Sequence, residues 1–235
     1  MPGTATLPSR CTDCSGRASA ICAQLHPDAL HDFAGLGRVR QLRPGTTLSW
    51  EGERVTSVGT VRTGLLKLSA SLADGRELIL GVAGPGDIVG NPLGAPATHS
   101  VTALGEASLC LVPRDAFTAF MAREGKAAQA LLERLFGELD NARRWLLLIG
   151  RKNAAERVAS LLLDLADRAG GTEGTAIALP LSRQQMAGLL GLTIETVSRR
   201  LHRFADDGVI ALPDLRHFVL HDRMALAALA GEPAD

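Results

Sequence analysis

The sequence lacks any uninterrupted run of about 18 apolar residues, the length that a transmembrane helix needs. Its opening residues, MPGTATLPSR, also lack the apolar core of a secretory signal peptide. We therefore expect no membrane partner and a cytoplasmic location.

The chain has no excess charge of either sign, because its 25 Lys and Arg balance its 25 Asp and Glu. Global charge therefore does not indicate a nucleic-acid partner. We find no P-loop, no dinucleotide fingerprint and no Ser/His/Asp constellation, which argues against an enzyme. The 235 residues suffice for one large or two modest domains.

Cysteine is scarce and unevenly placed. Four cysteines in a cytosolic chain argue against structural disulfides. Cys11, Cys14 and Cys22 fall close together and Cys110 stands alone, a distribution that favours metal binding or redox chemistry. Residues 1–25 have little to bury, so we treat them as a separate cysteine-rich segment that something else must order.

Short apolar runs separated by Gly, Pro and Asp-Gly fill residues 39–112. Apolar and polar residues alternate over 66–70, and Asp74-Gly75 is a strong hairpin signal. Many short strands at this spacing predict an antiparallel barrel or jelly roll. With a short helix over 27–36, this sensor domain should cover 26–124.

From Asp115 the apolar period becomes helical. We predict a short helix over 116–122 and a long one over 126–169, broken near Gly150, so that 125–169 form a dimerisation helix and hinge. Spacings of four and three produce a coiled-coil seam: Leu135, Leu139, Ala142, Leu146 and Ile149. A second apolar set, Phe136, Trp145 and Leu147, is available for the barrel. Two apolar faces favour homodimerisation over simple core packing.

Residues 181–204 predict a helix-turn-helix, with four arginines against one glutamate. Ser182 and Gln185 form a capping box, Gly191 permits the turn, and Thr193 caps the second helix. The N-terminal half of that helix would enter the DNA major groove. Two short apolar runs at 209–212 and 217–220 predict a wing, so 170–235 should be a winged helix-turn-helix.

Glu195, Ser198 and Arg199 share the exposed face of the second helix. Arginine can fork onto guanine, glutamate can accept from cytosine, and serine suits several base edges. The alternative is an ordinary solvated face. Three further arginines are candidates for phosphate contacts: Arg183, Arg200 and Arg203. We expect the stem of Arg200 to pack and its head to extend toward a phosphate.

This α+β organisation (an N-terminal antiparallel barrel or jelly roll, a long dimerisation helix and a C-terminal winged helix-turn-helix) resembles the CRP/FNR superfamily of transcription regulators. GLTIETVSRRLHRFADDGVI is similar to its DNA-binding segment, and GDIVG and LLLIGRKNAAERVASLLLDL to its barrel and hinge. The likeness covers roughly residues 39–231. It implies that Glu195, Ser198 and Arg199 read TTGAT half-sites in a double-stranded inverted repeat. It also implies, by analogy, a contact with RNA polymerase at Asp74 and Gly75.

Many members of the superfamily bind a cyclic nucleotide through a Glu and an Arg-Ser pair. In our alignment these positions are Asn91 and Ala97-Thr98. Burying a phosphate without a cationic partner is costly, so we expect no cyclic nucleotide.

The same resemblance implies that Cys11, Cys14, Cys22 and Cys110 hold a [4Fe-4S] cluster, as in the oxygen-sensing FNR branch. Without oxygen, the cluster would order the N-terminal segment and favour the dimer. Some relatives carry an acid where this chain has the apolar Ala142, so a permanent dimer gated by local rearrangement is an alternative to a switch between monomer and dimer.

The cysteines are also compatible with two kinds of cluster-free regulator. One binds zinc, for which His26 and His31 are possible ligands, and the second uses reversible thiol oxidation. A different functional class would be a barrel protein that does not bind DNA.

Overall fold

The computed structural model describes residues 8–71 and 77–231. The chain divides into two compact units, Met1–Asp140 and Asn141–Asp235. The Asp74-Gly75 turn, and the polymerase contact expected there, lie outside the described residues. The four-part division into 1–25, 26–124, 125–169 and 170–235 stays a prediction.

The first unit opens with short helical pieces that carry three of the cysteines. Helix α1 is followed by two 3-10 turns and by helix α2, with these bounds: α1 Ser9–Thr12, first turn Ser15–Ala18, second turn Ile21–Gln24, α2 Pro27–Leu36. Pro27 at the first position of α2 needs no backbone donor there. Ile21 is buried, which makes it the apolar anchor of an otherwise polar segment.

Eight short strands follow and form two antiparallel four-stranded sheets. The first sheet has the order β1-β8-β3-β6: Arg38–Leu42, Ala107–Pro113, Ser57–Thr63 and Ile88–Val89. The second has the order β2-β7-β4-β5: Thr47–Ser49, Ser100–Ala103, Leu66–Ser71 and Glu77–Ala83. Val61, Leu66 and Leu109 are fully buried in one apolar cluster with residues of both sheets. The predicted antiparallel barrel is confirmed.

A second apolar cluster joins the flanking helices to the barrel. Phe33 of α2 packs against Phe117 and Phe120 of helix α3 (Arg114–Arg123), with ring centroids 6.1 and 4.9 Å apart. Ile21 belongs to the same cluster. The cysteine-bearing segment is therefore fastened to the core that holds the helices.

The predicted long helix is two helices, α4 (Gly125–Arg151) and α5 (Ala154–Ala169). The break falls at Lys152 and Asn153, just after Gly150. Asn153 and Glu156 form a complete capping box that starts α5. The capping box at Asn153 starts a new helix, whereas a single glycine only weakens an existing one. The position of the break is therefore set by Asn153 and not by Gly150.

The structure leaves two members of the second apolar set of α4 largely in solvent. Phe136 and Leu147 are 57% and 59% exposed, and Trp145 is half-buried. The buried contacts of α4 in the first unit come from the small residues Ala127 and Ala130.

The second unit is a winged helix-turn-helix. After α5 come these elements: β9 Ala176–Ala178, α6 Arg183–Leu190, α7 Ile194–Asp206, β10 Ile210–Ala211, β11 His217–Leu220 and α8 Arg223–Ala230. The three strands form one sheet in the order β10-β11-β9, which contains the predicted wing. Leu181, Met186, Val197 and Leu201 are fully buried. Within the described part of the chain, no helix has the length and apolarity needed to span a bilayer.

Asn153→Ala should lower the stability of the second unit by about 1 kcal/mol, because the side-chain Oδ1 accepts hydrogen bonds from Ala155 N (2.9 Å) and Glu156 N (3.2 Å). For a unit of this size that corresponds to a melting temperature roughly 4–8 °C lower. Differential scanning calorimetry measures the shift. Asn153→Ser keeps a capping oxygen and should retain most of the stability. An equal loss in both variants would contradict the assignment.

Candidate nucleic-acid interface and cysteine site

Two short helices and a tight turn build the DNA-facing motif as the sequence predicts. Ser182 Oγ accepts from Gln185 N (3.2 Å), and Gln185 Oε1 accepts from Ser182 N (2.8 Å). Gly191 ends α6 with a φ of +62°, a conformation that favours glycine. Thr193 Oγ1 accepts from Thr196 N (3.2 Å) and so caps α7. These polar contacts set where α6 begins and where α7 begins.

The free face of α7 carries the three residues expected to read bases. Glu195 and Arg199 are exposed, and Ser198 is half-buried. Hydrogen bonds from its own backbone amide and from the Thr193 hydroxyl lower the pKa of Glu195. Glu195 is therefore an anionic acceptor at neutral pH. Base readout by these residues stays a prediction.

The three candidate phosphate contacts differ in their surroundings. Burial lowers the pKa of Arg183, whose Nη1 lies 3.7 Å from Met186 Sδ. Arg200 is half-buried, and its Nε is buried without a hydrogen-bond partner in the described part of the chain. This burial agrees with a packed stem. Arg203 is exposed and its Nε lies 3.0 Å from Asp207 Oδ2, a surface pair that contributes little to stability.

The structural role of Arg157 could not be predicted from the sequence. Its guanidinium donates to three backbone carbonyls: Nε to Lys152 O (2.9 Å), Nη1 to Leu190 O (2.9 Å) and Nη2 to Ile149 O (2.6 Å). It thereby joins the end of α4 and the start of α5 to the end of α6. The acceptors are main-chain atoms, so no side-chain pattern could have indicated them.

The structure brings the four cysteine thiols into one electrostatic neighbourhood. All four are free and half-buried. Burial first, and then the thiol of Cys110 followed by those of Cys11 and Cys14, raise the pKa of Cys22 to about 12. Burial and the Cys11 thiol likewise raise the pKa of Cys110. Two distant stretches of sequence therefore meet here.

Strand geometry explains how Cys110 reaches the segment. Leu109 and Leu111 are buried in the barrel, and Cys110 between them is half-buried on the opposite strand face, as the alternation predicts. A Cβ atom added at Gly37 would lie 2.7 Å from Cys110 Sγ. Glycine at this position therefore leaves room for the thiol.

Two arginines whose role the sequence did not indicate hold the segment in place. Arg62 of β3 donates from Nη2 to Arg10 O (2.7 Å), and Ser15 Oγ donates to Arg62 O (2.6 Å). Arg10 Nη1 donates to Ala34 O (2.7 Å) and to Gly37 O. The available signal was a charged residue inside the apolar strand run VGTVRTG.

The two histidines considered as zinc ligands lie apart from this neighbourhood. His26 is exposed beside Asp28, and His31 is also exposed. Across residues 8–71 and 77–231, no three His, Cys, Asp or Glu side chains converge on a position for a single metal ion.

The barrel positions that bind a cyclic nucleotide in relatives are uncharged here. Asn91 Oδ1 accepts from Leu93 N (2.8 Å), and the Thr98 hydroxyl lies 3.1 Å from the His99 ring. Asn91 and Thr98 are thus engaged in local turns. The expectation of no cyclic nucleotide stays a prediction.

Two family models match most of the chain: a Crp-like helix-turn-helix domain at residues 156–229 and a cyclic nucleotide-binding domain at residues 39–124. The chain belongs to the CRP/FNR family. It is a DNA-binding transcription regulator, and these matches indicate no enzymatic family.

Similar CRP/FNR proteins are named as activators or regulators. The chain is 37% identical to the transcriptional activator protein FnrL of Cereibacter sphaeroides, covering 98% of this chain and 95% of that one. It is 36% identical to the nitrogen fixation regulation protein FixK of Bradyrhizobium diazoefficiens, covering 86% of each. The solved structure of FixK2 from Bradyrhizobium japonicum matches with a TM-score of 0.77 at 32% identity, over 85% of this chain and 98% of that one.

Arg199→Ala should remove roughly 1–3 kcal/mol of preference for a guanine-containing half-site, because an exposed guanidinium can bind guanine in two places. Arg203→Ala, its matched control, should weaken binding to every sequence similarly and reduce the salt dependence. Fluorescence anisotropy with specific and random duplexes at several salt concentrations measures both. Equal losses on the two duplexes for Arg199→Ala would remove it from the base-reading set.

Proposed function

We propose that this CRP/FNR regulator responds to oxygen through a [4Fe-4S] cluster held by Cys11, Cys14, Cys22 and Cys110. The observation that carries the proposal is that three cysteines of the N-terminal segment and Cys110 of β8 lie near enough for their thiols to affect one another's pKa. When bound, the cluster would supply reactivity toward oxygen that dismantles it. The contacts of the N-terminal segment would then depend on whether the cluster is bound.

The thiol environment fits such a group. Half-buried thiolates that repel one another are unfavourable on their own, which is why the pKa of Cys22 rises to about 12. A cationic inorganic core would stabilise all four as thiolates. Four cysteine thiolates are the ligand set that a [4Fe-4S] cluster takes.

Reversible thiol oxidation without a cluster is the less favoured alternative. The reactive species in such chemistry is the thiolate, and sensor cysteines have a lowered pKa. Here burial raises the pKa of Cys11, Cys22 and Cys110. These three thiols are therefore poorly suited to act as the sensor themselves.

Arg134 of α4 connects the cysteine segment to the dimerisation helix. Its Nη1 donates to Ser19 O (3.2 Å), and its Nη2 pairs with Asp87 at the start of β6. Ser19 lies between Cys14 and Cys22, and its Oγ donates to Pro85 O (3.0 Å). Ordering the segment therefore places a carbonyl where α4 can bind it. Ligation at Cys14 and Cys22 would change how α4 is held.

We propose that α4 forms a homodimer through its apolar seam. Leu135, Leu139, Ala142, Leu146 and Ile149 are all exposed in the single chain, with Leu146 at 73%. Burying such a stripe against a second copy is the usual use of a seam. The paired recognition helices would read a TTGAT-type inverted repeat with half-sites about 34 Å apart. By analogy with the family we also propose RNA polymerase as a partner and the cytoplasm as location.

Purification without oxygen should yield a coloured protein with iron and acid-labile sulfide in equal amounts. Cys110→Ser should lose most of both, because it removes the ligand that links the segment to β8. Visible absorption and metal assay measure this. Ser108→Ala, in the same strand and bonded to Thr63 at 2.7 Å, controls for general damage to β8. A colourless zinc-loaded protein, or Cys110→Ser with unchanged iron, would contradict the cluster.

Arg134→Gln should uncouple the dimer from the cysteine segment. We expect the dimer dissociation constant to differ between anaerobic and air-exposed wild type by roughly 5–150-fold, a typical coupling, and this difference to shrink in Arg134→Gln. Analytical ultracentrifugation measures both states. Lys126→Gln, an exposed position on α4, should behave as wild type. A wild-type dimer that stays tight in air would exclude dissociation as the switch.

A further inference from the structure

Arg62 is a buried cation in the middle of the first sheet. It is 8% exposed, and the neighbouring Val61 is fully buried. Its guanidinium donates a hydrogen bond to a neutral carbonyl, Arg10 O. Among residues 8–71 and 77–231 it forms no ion pair. A buried charge without a counter-charge is costly, so the position of Arg62 calls for an anion nearby.

The main chain that Arg62 contacts lies next to the cysteines. Its guanidinium donates a hydrogen bond to Arg10 O at 2.7 Å. That carbonyl belongs to the peptide group that joins Arg10 to Cys11. Ser15, which follows Cys14, donates from Oγ to the main-chain carbonyl of Arg62 at 2.6 Å. Arg62 therefore touches the chain at both ends of the Cys11–Cys14 stretch. Neutral thiols cannot balance its charge, but ligated thiolates can.

The strand register also brings Arg62 near the second source of ligands. Its strand β3 pairs directly with β8, and Thr60, two residues before Arg62, lies opposite Cys110. Arg62 is therefore close both to the segment, through Arg10 O, and to the strand that carries Cys110.

We propose, on the basis of the function proposed above, that Arg62 is the positioning residue that supplies the counter-charge to the cluster. Four thiolates outweigh the positive charge of a [4Fe-4S] core, so the assembled site is anionic. The buried guanidinium stabilises that anion, and the anion in turn satisfies the buried guanidinium. Cluster assembly and the fold of β3 therefore stabilise each other.

The rival role for Arg62 is a tether alone, since it also holds the main chain of Arg10. Two substitutions separate the roles. Arg62→Gln removes the charge and keeps an amide N–H donor, on a side chain that is shorter than arginine. Arg62→Lys keeps the charge and loses the planar guanidinium. Arg123→Gln, an exposed arginine at the end of α3, is the control for removing a surface charge.

The test measures the reduction potential of the cluster and the rate at which its visible absorption decays in air, in full-length protein purified without oxygen. A lost cation disfavours the more negative, reduced state. We expect the potential of Arg62→Gln to be more negative by about 59 mV, a tenfold change for one electron, with decay roughly tenfold faster. Arg62→Lys and Arg123→Gln should stay close to wild type. Circular dichroism reports whether each variant is folded.

Each result decides between the roles. Arg62→Gln indistinguishable from wild type would overturn the inference, and so would equal shifts in Arg62→Gln and Arg62→Lys, which indicate a tether. If Arg62→Gln does not fold, Arg62→Lys decides: a wild-type potential supports the counter-charge, and a tenfold shift overturns it. Wild type without iron or sulfide would instead overturn the proposed function, and the inference with it.

Discussion

The polar attachment of the cysteine segment to the barrel is the constraint on which the proposed mechanism depends. Residues 8–25 contribute one large buried side chain, Ile21, with Cys22 and Leu25 partly buried against the same cluster, and hydrogen bonds from Arg10, Ser15 and Ser19. A single intramolecular hydrogen bond contributes only about 1 kcal/mol net. Such a segment is close to balance between docked and undocked states. A ligand that joins it to β8 can therefore shift that balance by a modest free energy.

Several arginine side chains that bind main-chain carbonyls connect the cysteine segment and the helices. Arg134 binds Ser19 O and pairs with Asp87, and Glu138 one turn later has a pKa raised by burial and by Asp87. In the second unit, Arg157 holds the last turn of α4 and the end of α6. A guanidinium offers donors in a rigid planar fork, so it fixes orientation as well as distance. Arginine contacts thus involve α4 at Arg134 in its first half and at Ile149 in its last turn.

Local patterns predicted much of this fold because their causes are local. The caps at Ser182 and Thr193, the turn at Gly191 and the wing each depend on residues within a few positions. The arginine contacts could not be predicted, because Arg62, Arg134 and Arg157 bind carbonyls whose positions depend on the tertiary fold. The assignment of the four cysteines to one cluster depended on the family resemblance. Their spacing alone indicated metal binding or redox chemistry and did not exclude zinc. The exposure of Phe136 and Leu147 in the single chain could not be predicted, because periodicity identifies an apolar face without identifying what covers it.

The apolar seam limits how the signal can act. Ala142 places no charge in the stripe, and Leu135, Leu139 and Leu146 would all lose solvent contact in a dimer. Burial of several leucines stabilises association by about 1.5–3 kcal/mol each, whereas site-to-site coupling in proteins is typically about 1–3 kcal/mol in total. Docking of the segment is therefore too weak to dissociate a well-packed seam. It is sufficient to change how α4 is held through Arg134, which favours a dimer that persists and is gated by rearrangement.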